Sequence, residues 1–300
     1  MIEFLKLLIF PGILFWIFLS FAFEWIDRKL TARLQKRVGP FFAGPSGFFQ
    51  PLADFIKLLS KEDITPKKSE GFIFELIPIL ILFIPLFSLT FIPFFEPFLS
   101  FNGDILLLLY LPIIQTLLIQ NLGFSSSSKF GLVGIGRGIT QALSFEIAMM
   151  LAGITPILFT GSFRLVEIMN SGWLISYLPL SFFVFLVSLL GESQFLPFDV
   201  PHAKQEIVAG WKTELSGKKL AMVKLGKNLQ FLFLCSLIVC LFLNGGNLIE
   251  LIIKLILIVV VVSIVKAMFA RLRIDQIVNL TWKYLIPLAL LQMFLISILR

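Results

Sequence analysis

In RGITQALSFEIAMMLAGI (residues 137–154) one carboxylate, Glu146, stands inside an apolar run. Arg137, Thr140, Gln141 and Ser144 recur at i, i+3, i+4 and i+7, so on a helix they form a polar stripe. Glu146 points away from that stripe, on a face it shares with Ala142 and Gly153, and small residues mark close helix packing. A charge at mid-helix costs about 2.5–3.5 kcal/mol on insertion scales, so Glu146 is expected to face protein rather than lipid. A carboxyl held there can pass a proton, or it can make a static interhelical hydrogen bond; both readings fit.

A second set of ionisable groups follows an apolar helix. GESQFLPFDVPHAKQEIVAGWKTELSG (191–217) carries Glu192, Asp199, His202, Lys204, Glu206, Lys212 and Glu214. Charges flanking a membrane helix are common, but a long run of both signs with prolines and glycines inside it needs more explanation. Glu75, near the start of another apolar run, can reach interfacial water, and Glu96, between Pro93 and Pro97, is expected at the outer surface. His202 reads as a surface histidine. The serines 125–128 lie in no nucleophile motif, and there is no phosphate-binding glycine loop, haem signature or metal-ligand spacing. Cys235 and Cys240, five apart in one apolar run, point to different faces and read as ordinary helix residues. Neither a catalytic residue nor a cofactor or metal site is expected on this chain.

The elements that must position these groups are membrane helices. The 300 residues are 58% hydrophobic and 14% charged, against roughly 25% charged in a soluble domain, and the mean hydropathy is +0.98. A span needs about 20 apolar residues. Eight stretches qualify: 4–26, 72–97, 104–123, 133–160, 174–193, 224–244, 248–269 and 276–299. They predict an all-α integral membrane protein, residues 1–300 forming a single polytopic domain. The first stretch lacks a basic leader and a small-residue cleavage site and reads as a retained helix. Basic residues concentrate in alternate loops, about 27–71, 124–132, 194–223 and 270–275. These are expected to be cytoplasmic, with both termini outside. The net charge of +7 is thereby a topology signal and implies no nucleic acid. Lys227, Lys254 and Lys266, near helix ends, read as snorkelling side chains.

In FFQPLADFIKLLSKED, Leu52, Phe55, Ile56 and Leu59 fall at i, i+3, i+4 and i+7, with Asp54, Lys57 and Lys61 on the other side. This predicts an amphipathic interfacial helix opened by Pro51, lying in the bilayer surface or covering neighbouring helices. Prolines 78, 85, 112, 156, 179 and 287 are expected to loosen helices locally.

PFDVPHAKQEIVAGWKTELSG (197–217) resembles the signature of the membrane subunit called subunit 1 in respiratory complex I, and of its counterpart in the hydrogenase relatives. DRKLTARLQKRVGP (27–40), GPSGFFQPLADFIKLLSKEDITP (44–66), RGITQALSFEIA (137–148) and RLRIDQIVNLTWKYLIPLAL (271–290) are similar to further family segments, in the same order. The resemblance implies a non-catalytic coupling subunit. Such a subunit joins a peripheral arm of iron–sulfur and catalytic subunits to antiporter-like and small membrane subunits in the plasma membrane, the redox arm facing the cytoplasm. Iron–sulfur clusters, and nickel–iron in a hydrogenase, would belong to those partners. It assigns ion translocation and coupling to Glu146, Glu192, Asp199, Glu206 and Glu214, with Glu75 and Asp27. Docking or structural roles fall to Arg28, Gln35, Arg37, Asp54, Lys57, Arg137, Arg271, Arg273 and Asp275.

Two departures matter. Phe41-Phe42 stand where quinone-using members keep Asn-Arg, and His202 and Lys204 replace two loop glutamates. They favour a ferredoxin-linked relative, a membrane-bound hydrogenase or a sulfur-reducing complex, over the quinone-reducing enzyme. A stand-alone secondary transporter would also explain buried acids and broken helices, but no internal repeat is visible. A passive anchor would leave Glu146 without a purpose.

Overall fold

The computed structural model describes residues 12–93 and 99–299. Within them every long element is helical. In chain order these are α1 (Ile13–Leu34), α2 (Gln50–Leu59), α3 (Gly71–Leu89), α4 (Asp104–Ser125), α5 (Lys129–Thr160), α6 (Leu165–Asn170), α7 (Pro179–Glu192), α8 (Lys204–Ile207), α9 (Gly217–Phe242), α10 (Leu248–Met268) and α11 (Ile274–Ile298). Six of them, α3, α4, α5, α9, α10 and α11, are long and apolar enough to cross a membrane. The remaining two expected spans differ for physical reasons. α7 has only 14 residues, preceded by a 3₁₀ turn at Leu174–Ser176. α1 runs past its expected end to Leu34, so Asp27, Arg28, Lys29 and Arg33 sit on the helix rather than in a loop. The earlier part of that expected span, and Glu96, fall outside the described residues.

α9 is the hub. Its second half is largely apolar on all sides, as a helix buried on every face must be, and residues 229–242 are buried throughout. It packs on α3 most extensively and also on α1, α2, α7 and α10. Gly226 lets α3 approach: a Cβ there would meet the Ile81 carbonyl oxygen at 2.5 Å. That carbonyl is the one Pro85 leaves without its helical N–H, and Gln115 of α4 donates to it at 3.3 Å and to the Gly226 carbonyl at 3.2 Å. Pro156 likewise frees the Ala152 carbonyl, which takes the Thr155 hydroxyl at 2.7 Å. Pro179 instead begins α7, and Pro287 follows a π-helical turn, Thr281–Leu285. The outward faces stay apolar: Ile249, Ile253 and Leu257 on α10, and Leu290, Phe294 and Ile298 on α11, are exposed.

α2 lies against α1 and α9, but turned from its expected orientation. Pro51, Asp54, Phe55 and Leu58 point inward, while Leu52, Ile56 and Leu59 are exposed. Asp54 is pulled in because Arg28 of α1 donates to it at 2.8 Å, and Phe55 meets Phe21 at 5.7 Å between ring centres.

Candidate functional site

Glu146 sits on α5, buried, and its Oε1 accepts the Thr116 hydroxyl of α4 at 2.6 Å. Gly153, two turns on and on the same face, packs on Leu109 of α4, so small residues do close that interface. Thr140, Gln141 and Ser144 do not act as one stripe: Gln141 reaches across to the Gly191 carbonyl at 2.8 Å, whereas Ser144 bonds back to Thr140. Glu192, at the end of α7, is 3% exposed and within electrostatic range of Glu146. Neither of its carboxylate oxygens has a hydrogen-bond partner among the described residues.

From Glu192 the chain enters the charged loop, 193–216. The loop is pinned beside Glu146: the Phe198 ring meets Phe145 edge-on at 4.7 Å. Leu272 N–H donates to the Pro197 carbonyl at 3.0 Å, and Ser216 exchanges hydrogen bonds with the backbone of Ile64 at 2.8 and 3.0 Å. Three of the loops between the long helices are thus joined. Asp199 lies 3.2 Å from Arg271 and 3.0 Å from His202. Burial pushes its carboxyl above the ordinary aspartate value, against the opposing pull of Arg271 and Lys212. His202 is no surface histidine; its half-buried ring also faces Trp211 edge-on at 6.0 Å. Glu206, exposed, pairs with Arg137 of α5, whose hydrogen bond holds its carboxyl below the ordinary range.

Lys227 of α9 is not a snorkelling side chain. Its ammonium donates to Gln194 Oε1 at 2.5 Å, lies 5.1 Å from the centre of the Trp211 ring, and feels Glu192, Asp199 and Lys212. Lys266 is likewise turned inward, 2.6 Å from Asp27 Oδ2, while Ser263 donates to Oδ1 at 3.0 Å. Lys254 donates to the Leu243 and Gly245 carbonyls at 2.8 and 3.0 Å. In each case a partner within the protein is in hydrogen-bond reach of the ammonium.

The sequence profile of the NADH dehydrogenase family matches residues 6–297. The chain belongs to this family, in its subunit 1 branch. A chain from "Structure of the membrane-bound sulfane sulfur reductase (MBS), an archaeal respiratory membrane complex" superimposes with a TM-score of 0.90 at 28% identity. The match covers 99% of this chain and 100% of that one. This is therefore a membrane subunit of a respiratory-type oxidoreductase, with other subunits as its partners.

Within this family member, Glu146, Glu192, Asp199 and Lys227 form one neighbourhood, continued toward the surface by Arg271, His202 and the Arg137–Glu206 pair. Glu75 does not join it: two-thirds exposed, it lies 4.0 Å from Lys219. Glu214 is half-buried, with no ion pair among the described residues. Asp27 forms a separate cluster with Lys266, Ser263 and Thr31. A third cluster centres on Glu24, which holds Arg28, Lys224 at 3.3 Å and Asn228 at 2.6 Å, and reaches Asp54 through Arg28. Burial opposes the Asp54 charge, but hydrogen bonds from Arg28 and Gln50 hold its carboxyl below the ordinary range. Gln35, Arg37, Lys57, Arg273 and Asp275 are exposed. Arg137, Arg271, Arg273, Glu206 and Asp275 line an open cleft of about 710 Å³ between the charged loop and the start of α11. Among these residues, Glu24, Thr116 and Asn228 are not singled out by motif or spacing. Lys227 reads as a helix-end residue when the span is taken to start at 224; the helix starts at Gly217, which puts the lysine 10 residues in.

Proposed function

We propose that this chain couples electron transfer in a peripheral iron–sulfur arm to proton or sodium movement in the membrane, without catalysing the redox step itself. The observation that carries the proposal is the buried pair Glu146–Glu192 at the inner end of a loop anchored by Phe198 on Phe145. Two carboxyls in one apolar site resist ionising together, so a proton or cation added to one alters the other. A shift of the loop moves Phe198 against the residue next to Glu146 and carries Asp199 relative to Arg271 and Lys227. That is enough to change which carboxyl holds the proton. The altered charge passes laterally to antiporter-like subunits.

The arginines around the cleft, with the joined cytoplasmic loops, suit a docking surface for iron–sulfur and catalytic subunits on the cytoplasmic side of the plasma membrane. The likeness to a sulfane sulfur reductase chain, together with Phe41 and Phe42 in place of Asn-Arg, supports ferredoxin as the upstream donor and sulfane sulfur as the acceptor rather than quinone. The test is redox-driven ion uptake in vesicles carrying the purified complex. Glu146→Gln keeps the shape and loses the titrating proton, so uptake should fall at least tenfold in an assembled complex. Undiminished uptake would remove Glu146 from the path.

A further inference from the structure

Two acids of the coupling neighbourhood, Glu192 and Asp199, act electrostatically on one cation. Glu192, at the end of α7, has both carboxylate oxygens unpartnered among the described residues. Asp199, in the loop, is held by Arg271 and His202. Lys227 on α9 is the group that feels both. Its ammonium does not rest on Glu192, for no ion pair within 4 Å joins them among the described residues. It rests instead on a neutral acceptor, Gln194 Oε1, at 2.5 Å, beneath the Trp211 ring at 5.1 Å. Both resting partners belong to the 193–216 loop, whereas the lysine's backbone belongs to the buried hub helix α9.

That division decides what a loop movement does. A lysine is a compact charge on a four-carbon stem with rotatable donors, and a buried ammonium must keep a partner. When Gln194 and Trp211 move with the loop, Asp199 moves with them, and the carboxyl that stays with the helices as a partner for the ammonium is that of Glu192, which has no other hydrogen-bond partner among the described residues. Building on the coupling role proposed above, we infer that Lys227 is a positioning residue that swings between the loop and Glu192 and so transmits loop movement to the buried carboxyls.

The step balances simply. With Lys227 on the loop, Glu192 holds a proton and Glu146 is a carboxylate accepting from Thr116. As the ammonium reaches Glu192, the O–H bond of Glu192 breaks and one forms on Glu146, directly or across a bridging water. The Lys227 charge compensates the new Glu192 charge. The other charges facing this centre, Lys212, Arg271 and His202, sit on the loop side, and each has Asp199 in reach.

The experiment compares Lys227→Met and Lys227→Arg with Glu146→Gln, all in the intact complex, reading ions moved per electron pair in vesicles and assembly by native electrophoresis. Lys227→Met keeps the stem and removes the charge; it should lower the ratio at least tenfold in an assembled complex. Lys227→Arg keeps the charge and should retain at least a third of the ratio. An unaltered ratio in Lys227→Met overturns the inference, as does equal loss in both variants or a Lys227→Met complex that no longer assembles, since either of these makes the residue a packing element. If Glu146→Gln loses pumping while Lys227→Met keeps it, only the Lys227 inference falls. If both keep it, the coupling role itself falls.

Discussion

Asp199 and Glu206 lie seven residues apart in one loop and respond to pH in opposite senses. Burial raises the Asp199 value, so the docked loop retains a proton that a detached loop would release. Its contribution to docking is full below the ordinary aspartate value of 3.8 and is lost as pH rises through the raised value. The Glu206 value is lowered by Arg137, so its contribution is present above the ordinary 4.5 and is lost as pH falls through the depressed value. Asp199→Asn should therefore flatten the loss of protection of residues 193–216 on going from acid to neutral pH, measured by amide hydrogen exchange. Glu206→Gln should raise exchange of residues 204–212 a few-fold at neutral pH, and no change there would mean that the Arg137 pair does not hold the loop. The motif pointed to Asp199 and Glu206 alike. That one is half-buried and the other exposed was not legible there, because neighbouring loop residues face different surroundings only after three loops have met.

At the scale of elements, the α3–α9 contact shows a proline, a glycine and a glutamine acting as one device. Pro85 frees the Ile81 carbonyl, Gly226 admits it, and Gln115 satisfies it. Gly226→Leu forces the helices apart and should destabilise by about 1–3 kcal/mol, as overpacking does. Gln115→Leu leaves a buried carbonyl unpaired, also at about 1–3 kcal/mol. Because both act on Ile81, the double variant should fall short of the sum. Thermal unfolding of the detergent-solubilised complex, read as Tm, checks all three; strict additivity would separate the two roles. Prolines in apolar runs announced local loosening, and hydropathy placed the ends of α4, α5, α10 and α11 to within about a turn, but missed the ends of α1 and α3 by more. The rotation of α2 did not follow. Its helical wheel offers two apolar sides, and the Arg28–Asp54 pair chose between them.

For the whole molecule, the asymmetry of basic loops predicts that a cysteine at Phe42, 96% exposed, is labelled from the cytoplasmic side in oriented vesicles and one at Ser162 from the outside. Labelling of both from one side would overturn the topology. A complex purified through a tag on this chain should contain iron without stoichiometric nickel; nickel would make it a hydrogenase. Hydropathy alone determined an all-helical membrane protein and the places of most of its spans, because the cost of putting polar groups in lipid is written residue by residue. Only the tertiary structure decided that Lys227 and Lys266 turn inward, that Glu192 is left without a hydrogen-bond partner among the described residues, and that Glu75 stands apart. Those outcomes depend on which distant helices become neighbours, and a buried charge takes its partner from across the bundle rather than along the chain.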